Sequence, residues 1–353
     1  MIGPGDPGTV VVLRALGLGD LCTGVPALRA LRRRFPHADL VLAAPAWQEP
    51  LARLAGVDRV VDTAPLAPLD PSLHGADLAV NLHGRGPQST SLLAASRPGA
   101  LVAFAHPEAD ATPVADVTWR ADEHEVHRWC RLLEESGIPA DPADLDLPRP
   151  RPRSASPALA TIRRRIVETT SDGADETTAR ATNRRRIAPE GLAVVHPGAA
   201  AAGRRWPAER FGAVVAELVA RGHLVALTGS EDEWHLCQRV LDAAGPLPVD
   251  QVEVLAGRTG LLELATVVAE ARLVVANDTG VAHLATAFAV PSVVLFGPTP
   301  PGEWGPPPVS RHRTLWAGRR GDPHADELDP GLAAIGIDDV IAAIDEVTAR
   351  VPA

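Results

Sequence analysis

The sequence predicts an α/β protein of two doubly wound parallel-sheet domains, and three observations carry that expectation. The chain has 353 residues, more than one hydrophobic core usually organises. Continuous apolar runs alternate with helix-like segments in both halves, and strands apolar on both faces with helices between them imply parallel sheets covered on each side. Between the halves, from about 140 to 190, the chain turns Pro-rich ("DPADLDLPRPRPRSASP") and then polar ("ETTSDGADETTARATNRRR"), with little to bury. The expected organisation is a first domain over 1–148, a linker or mobile Pro/Arg/Thr-rich insertion over 149–190, and a second domain with a terminal helix over 191–353.

In the first half "TVVVLRA" is a buried strand, and "LCTGVPALRALRRRFP" is a helix ended by Pro36. "DLVLAAP", "RVVDTA", "ADLAVNLHG" and "GALVAFAHP" are further strands, "PLARLAG" is a short helix, and "HEVHRWCRLLEESGI" is an amphipathic helix. The second half restarts with strands "LAVVHPG", "HLVALTGS", "VEVLAG", "ARLVVAND" and "PSVVLFGP". Between them lie helices "AERFGAVVAELVARG", "EDEWHLCQRVLDAAG", "LLELATVVAEA" and "GVAHLATAFAV". The tail "IDDVIAAIDEVTARV" is one more helix, with Asp338 or Asp339 near its start. Two such domains facing each other across a cleft would line its walls with strand C-terminal ends, where open α/β sheets bind ligands.

Composition removes several classes. No run of 18 apolar residues occurs, and the opening "MIGPGDPGTV" has no basic segment followed by an apolar one, so neither a membrane span nor a secretory signal is expected. A cytoplasmic protein follows, with room for transient peripheral contact at the inner face of the membrane. Cys22, Cys130 and Cys237 are too scattered for a disulfide framework or a thiolate metal site. A net charge of −10 disfavours nucleic acid as a partner. The chain has no Lys, so any chemistry that would ordinarily use Lys must use Arg.

The turn "LGLGDLC" after the first strand fails as a dinucleotide fingerprint, because Cys22 occupies the sixth position and Asp20 would repel a pyrophosphate. Asp20 admits two readings: a first-turn acid worth roughly 0.5–2 kcal/mol to its helix, or a carboxylate presented for chemistry. A better phosphate site is "NDTG", Asn277 to Gly280, where a buried strand passes straight into a helix. There free amides and the dipole's positive end await an anion, Gly280 permits close approach and Thr279 adds a hydroxyl. "HPGAAAAGRRWP" offers His196 and, for phosphate oxygens, Arg204 or Arg205. "TGSEDEW" places Glu231 and Glu233 where a carboxylate can accept ribose hydroxyls, beside Gly229 and Ser230. "NLHGRGPQSTS" offers His83, Arg85 and Gln88 to a sugar or anionic group, or is a plain polar loop. Two metal patterns are weak. "DLD" at Asp144–Asp146 lies in a Pro-rich boundary, and His124, His127 and Cys130 on one helix lack a nearby fourth ligand.

Taken together, "LGLGDLCTGVPALRAL", "HPGAAAAGRRWP", "LTGSEDE" and "LVVANDTGVAHLATAFAVPSVVLFGPT" resemble glycosyltransferase family 9, the ADP-heptose-dependent heptosyltransferases of lipopolysaccharide core assembly. The resemblance implies the GT-B fold, two Rossmann-like domains, with acceptor held mainly by the first and nucleotide sugar by the second. It implies inversion at the anomeric carbon with no metal or other cofactor, an ADP-sugar being the co-substrate. By position it makes Asp20 the catalytic base, with Gly19 in the acceptor region. Arg204 then stands where the family usually carries a phosphate-binding Lys. Thr279 and Gly280 form the diphosphate turn, with Asp278 and His283 in the same element, and Glu233 is the ribose-binding acid. The partners implied are a nucleotide-sugar donor and a glycan or glycolipid acceptor. The compositional bias suggests a GC-rich genome whose acceptor, and donated sugar, need not be those of the lipopolysaccharide core. Two other readings are a GT-B nucleotide-sugar epimerase, which needs further acid/base groups, and a binding protein that has lost catalysis.

Overall fold

The computed structural model of the chain describes residues 6–109, 111–151, 160–162, 164, 191–248 and 250–349. The chain divides into two compact units, Met1–Pro148 with Gly302–Trp304, and Arg149–Pro301 with Gly305–Ala353. Most of the segment read as a linker, 149–190, lies outside the described residues.

The first unit runs β1 (Thr9–Leu13), α1 (Leu18–Arg34), β2 (Asp39–Ala44), α2 (Glu49–Leu54), β3 (Arg59–Asp62), β4 (Leu78–Asn81), α3 (Gln88–Ala95), β5 (Ala100–Val102) and α4 (Glu125–Glu135). Its strands are all parallel in the order β3-β2-β1-β4-β5. The central β1 is buried from Val10 to Leu13, as its unbroken apolar run requires. The chain winds away from β1 on one side and returns on the other, so the switch point falls between β1 and β4, where the departing loops leave a crevice. The register Leu13↔Asn81 brings the two strand ends level.

Helix α1 starts on Gly17, whose N–H donates to Asp20 Oδ2 at 3.1 Å, half of a capping box that a glycine cannot complete. Its arginines, Arg32 to Arg34, occupy the last turn, where they complement the dipole. Leu21, Val25, Leu28 and Leu31 are buried, each such side chain contributing about 1.5–3 kcal/mol.

The second unit runs β6 (Leu192–His196), α5 (Ala208–Ala220), β7 (Leu224–Leu227), α6 (Trp234–Ala243), β8 (Val252–Val254), α7 (Leu261–Glu270), β9 (Leu273–Asn277), α8 (Gly280–Ala287), β10 (Ser292–Phe296), β11 (His312–Trp316), α10 (Pro330–Ala334) and α11 (Ile337–Thr348), while the short α9 (Pro301–Trp304) between β10 and β11 belongs to the first unit from Gly302 on. The parallel order β11-β10-β9-β6-β7-β8 puts this sheet's switch point between β6 and β9. The terminal α11 packs Val340, Ile344 and Val347 into the core around Trp206 and Phe211, and Asp339 accepts the Gly336 N–H at 2.8 Å.

Four elements depart from expectation: the short helices α9 and α10, strand β11 and helix α3. Strand β11 was not anticipated, because "HRTLW" is half-buried at a sheet edge and lacks the long apolar run of the inner strands. The polar stretch after β4 does not remain a loop. Gln88 opens α3, which buries Ser89, Thr90 and Leu93.

Candidate functional site

At the crevice of the first unit, Asp20 lies in the first turn of α1 with its side chain one-quarter exposed. Its Oδ2 caps the helix while the side chain remains partly open to solvent, so the capping reading does not exclude the chemical one. Directly behind it, Arg14 ends the β1 run and is buried. Its Nε donates to Asp20 O, its Nη1 to Leu82 O and its Nη2 to Thr23 Oγ1 at 2.9 Å. The guanidinium Nη2 stands 3.7 Å from Asp20 Oδ1.

His83 follows β4, the neighbour of β1, and its backbone N–H donates to Asn81 Oδ1 at 3.0 Å. Asn81 spends its amide on Ser89 and Thr90 hydroxyls at 3.0 Å each, fixing the loop that leads into α3. His83 Nδ1 is buried without a hydrogen-bond partner among the described residues. Burial and the Arg14 charge hold the imidazole below its usual pKa, against the opposing pull of Asp20, so it is neutral at pH 7. From the short helical turn that follows β2, Gln48 donates Nε2–H to Leu16 O at 2.6 Å and pins the Asp20 turn from the other side. Gly19 is half-buried, whereas Arg85 and Gln88 are exposed and stand apart from this network.

In the second unit, the "NDTG" turn joins β9 to α8 as the sequence suggested. Asn277 is fully buried and staples the neighbouring loop. Its Nδ2 donates to Pro197 O at 2.8 Å and Gly198 O at 3.2 Å, and its Oδ1 accepts the Trp206 N–H at 3.2 Å. Thr279 is the N-cap of α8 in extended conformation, yet its hydroxyl caps nothing; Oγ1 is buried and unpartnered among the described residues. Arg204 reaches the same turn, its Nη2 donating to Asp278 Oδ2 at 2.9 Å and to Asp278 O, while its Nε is buried without a partner. Arg205 points elsewhere, donating to Ala199 O at 2.9 Å. Of the two arginines, Arg204 is therefore the one at the turn. Burial pushes the Asp278 carboxyl above its usual range, with Arg204 pulling the other way.

Beside them on β6 and β7, His196 Nδ1 lies 3.1 Å from Thr228 Oγ1. Burial keeps that imidazole below its usual pKa despite the nearby Glu233 carboxylate. Glu233 accepts the Ser230 N–H at 2.9 Å and lies against two glycines. A Cβ on Gly198 would fall 2.1 Å from its Oε1, and one on Gly229 3.3 Å from its Oε2. Arg204, Thr279, His196, Gly229, Ser230 and Glu233 thus cluster at the ends of three adjacent strands. His283 lies one turn further into α8.

The weak metal patterns are otherwise engaged. Asp144 pairs with Arg29 at 2.7 Å and with Arg33, and His124 caps α4 by accepting the Val126 N–H at 3.2 Å. Among the described residues no group of three or more His, Cys, Asp or Glu could hold a metal ion, and no helix is long and apolar enough to cross a membrane.

The family model of glycosyltransferase family 9 (heptosyltransferase) matches residues 109–329. The chain belongs to glycosyltransferase family 9. Lipooligosaccharide heptosyltransferase 2 of Haemophilus influenzae is 34% identical to this family 9 chain over 115 residues, a match that spans 32% of each. The lipooligosaccharide heptosyltransferase 2 of Haemophilus ducreyi is 24% identical over 327 residues, 87% of both chains. Among solved structures, Escherichia coli ADP-heptose lipopolysaccharide heptosyltransferase II superposes with a TM-score of 0.70 at 22% identity, covering 97% of this chain and 99% of that one. The GT-B fold expected from the motifs is the fold observed.

Residues missed by the sequence reading are Arg14, Gln48 and Glu125. Arg14 did leave a trace, for an arginine at the end of "VVVLR" must find buried partners. Its partner Glu125 is 111 residues away and left none.

Proposed function

We propose that the chain is an inverting, metal-independent glycosyltransferase that moves a sugar, heptose, from an ADP-sugar to a hydroxyl of a glycan or glycolipid acceptor. One observation carries the donor half of this reading. A half-buried N-cap threonine, Thr279, leaves its buried hydroxyl oxygen unused at a helix N-terminus, and Arg204, which pairs with the preceding Asp278, leaves a buried Nε equally unused. Buried polar groups are rarely left unpaired, and these donors suit the oxygens of a diphosphate. Glu233 supplies an acceptor for ribose hydroxyls. Heptose as the donated group is supported by the relatives' names.

In this reaction the acceptor hydroxyl attacks the anomeric carbon as its proton passes to Asp20, a general-base contribution of typically 10²–10⁴-fold. The carbon–oxygen bond to the diphosphate breaks, and the charge that develops there is met by the α8 amides, the Thr279 hydroxyl and Arg204. His83 and Gly19 border the acceptor, with Arg85 and Gln88 further out, and the first unit is the acceptor side of the proposal. A glycolipid acceptor brings the enzyme into transient contact with the inner face of the membrane.

The test is Asp20→Asn. Turnover falls by at least about 100-fold while ADP affinity, measured by thermal shift across ADP, UDP, GDP and dTDP, stays that of the parent and highest for ADP. Unchanged turnover removes Asp20 from the mechanism, and preference for another base redirects the donor. Release of an epimerised nucleotide sugar without any acceptor would overturn the transferase reading itself.

A further inference from the structure

Asp20 is the end of a buried chain of alternating charges that the reaction leaves unassigned. Glu125, the first residue of α4, is 5% exposed and Arg128 is 6% exposed. Glu125 Oε1 accepts from Arg14 Nη2 at 3.2 Å and from Trp129 Nε1 at 2.8 Å, and its Oε2 pairs with Arg128 Nη1. Arg128 is itself held by the carbonyls of Arg120, Ala121 and Glu123 at 3.2, 3.0 and 2.7 Å. Arg14 lies over the Trp129 ring at 5.0 Å, and a Cβ on Gly24 would come within 3.0 Å of Arg14 Cδ, so the guanidinium is confined against the backbone of α1.

Buried charges of this kind seldom add stability over apolar packing, so the arrangement calls for another reason. The distances supply one. Arg14 Nη2 hydrogen-bonds Thr23 at 2.9 Å and Glu125 at 3.2 Å, while Asp20 Oδ1, at 3.7 Å, is left out of hydrogen-bond range. Two acceptors compete with Asp20 for one nitrogen, and their success keeps Asp20 Oδ1 free to take a proton.

We propose that Glu125 is a positioning residue for Asp20: by occupying Arg14 Nη2 it prevents the guanidinium from capturing the carboxylate. The proposal rests on the reading of Asp20 as the base. Without the Glu125 charge, Asp20 becomes the nearest anion to Arg14, closes to direct contact and turns from the acceptor hydroxyl.

The experiment uses the full chain and Glu125→Gln, which keeps size and loses charge. Turnover per folded molecule falls about tenfold or more while donor KM and ADP affinity stay within about twofold, a split that a loss of packing does not produce. In the Asp20→Asn background the same change costs less than about twofold of the residual rate, because the group it positions is gone. Glu125→Asp restores most of the turnover. Should Glu125→Gln fail to fold, Thr23→Val removes the other competitor without touching a charge and lowers kcat in the same sense. Turnover of Glu125→Gln within twofold of the parent, or an equal loss in the Asp20→Asn background, overturns the proposal. If Asp20→Asn is inactive while Glu125→Gln is normal, only the positioning role falls. If Asp20→Asn keeps its turnover, the base reading falls and takes the positioning role with it.

Discussion

Arg204 and Asp278 show how two residues, 74 apart in sequence, share a single electrostatic problem. Asp278 is 6% exposed and its carboxylate is acceptable there because Arg204 Nη2 lies at 2.9 Å. Arg204→Ala therefore leaves a buried acid unpaired and is expected to destabilise the second unit by about 3–5 kcal/mol, measured by urea unfolding. Arg204→Ala combined with Asp278→Asn regains much of that stability and none of the ADP affinity, which separates the structural from the ligand-binding role. The choice of Arg204 over Arg205 was not legible in the residues themselves, and only the family resemblance favoured Arg204. Adjacent arginines look alike until one finds the Ala199 carbonyl and the other the turn. Asp20, Thr279 and Glu233 were legible because each belongs to a short local motif. Arg14, Gln48 and Glu125 were not, because their meaning lies in contacts across the fold.

Among the elements, the loops at the strand ends hold the site, and each switch point has an asparagine as its fastener. Asn81 ends β4 and fixes the His83 loop, and Asn277 ends β9 and fixes the Pro197–Gly198 loop. The second loop must stay bare. Gly198→Ala would put a methyl 2.1 Å from Glu233 Oε1, and the flexible carboxylate yields before the backbone does. The expected outcome is an unchanged Tm with ADP affinity reduced about tenfold, the loss of one charge-assisted hydrogen bond; scanning calorimetry checks the first half and calorimetric titration the second. The inner strands and most helices were legible from unbroken apolar runs and their spacing. Strand β11 and helix α3 were hidden for one reason: each is only partly buried, so neither carries a periodic apolar pattern strong enough to stand out.

At the scale of the whole molecule, the two sheets repeat one plan, a first strand flanked by a crossover to either side, and the alternation in the sequence anticipated that much. Stability at low pH is a property of this scale too. His312 is 5% exposed, with Nδ1 2.8 Å from Ser292 Oγ, and burial together with Arg311 lowers its pKa from 6.5 to about 4. The unfolded chain binds a proton at this histidine near pH 6.5, whereas the folded chain declines it until about pH 4. Its contribution is therefore intact above pH 6.5 and is lost as pH falls towards 4, an amount of order 3 kcal/mol. His312→Gln should flatten the unfolding free energy over that window in urea titrations at fixed pH steps.

The Arg204–Asp278 pair has a bearing on how a charged ligand arrives. A cation already half-spent on its own carboxylate offers little long-range attraction, and the chain around it carries a net charge of −10. Under the proposed function, an anionic nucleotide sugar would approach against the field of the whole protein and be rewarded only at contact, by fixed amides and hydroxyls. Added salt screens the repulsion. Association of ADP measured by stopped flow should quicken between low and physiological ionic strength, the reverse of the usual behaviour of a phosphate site lined with free arginines.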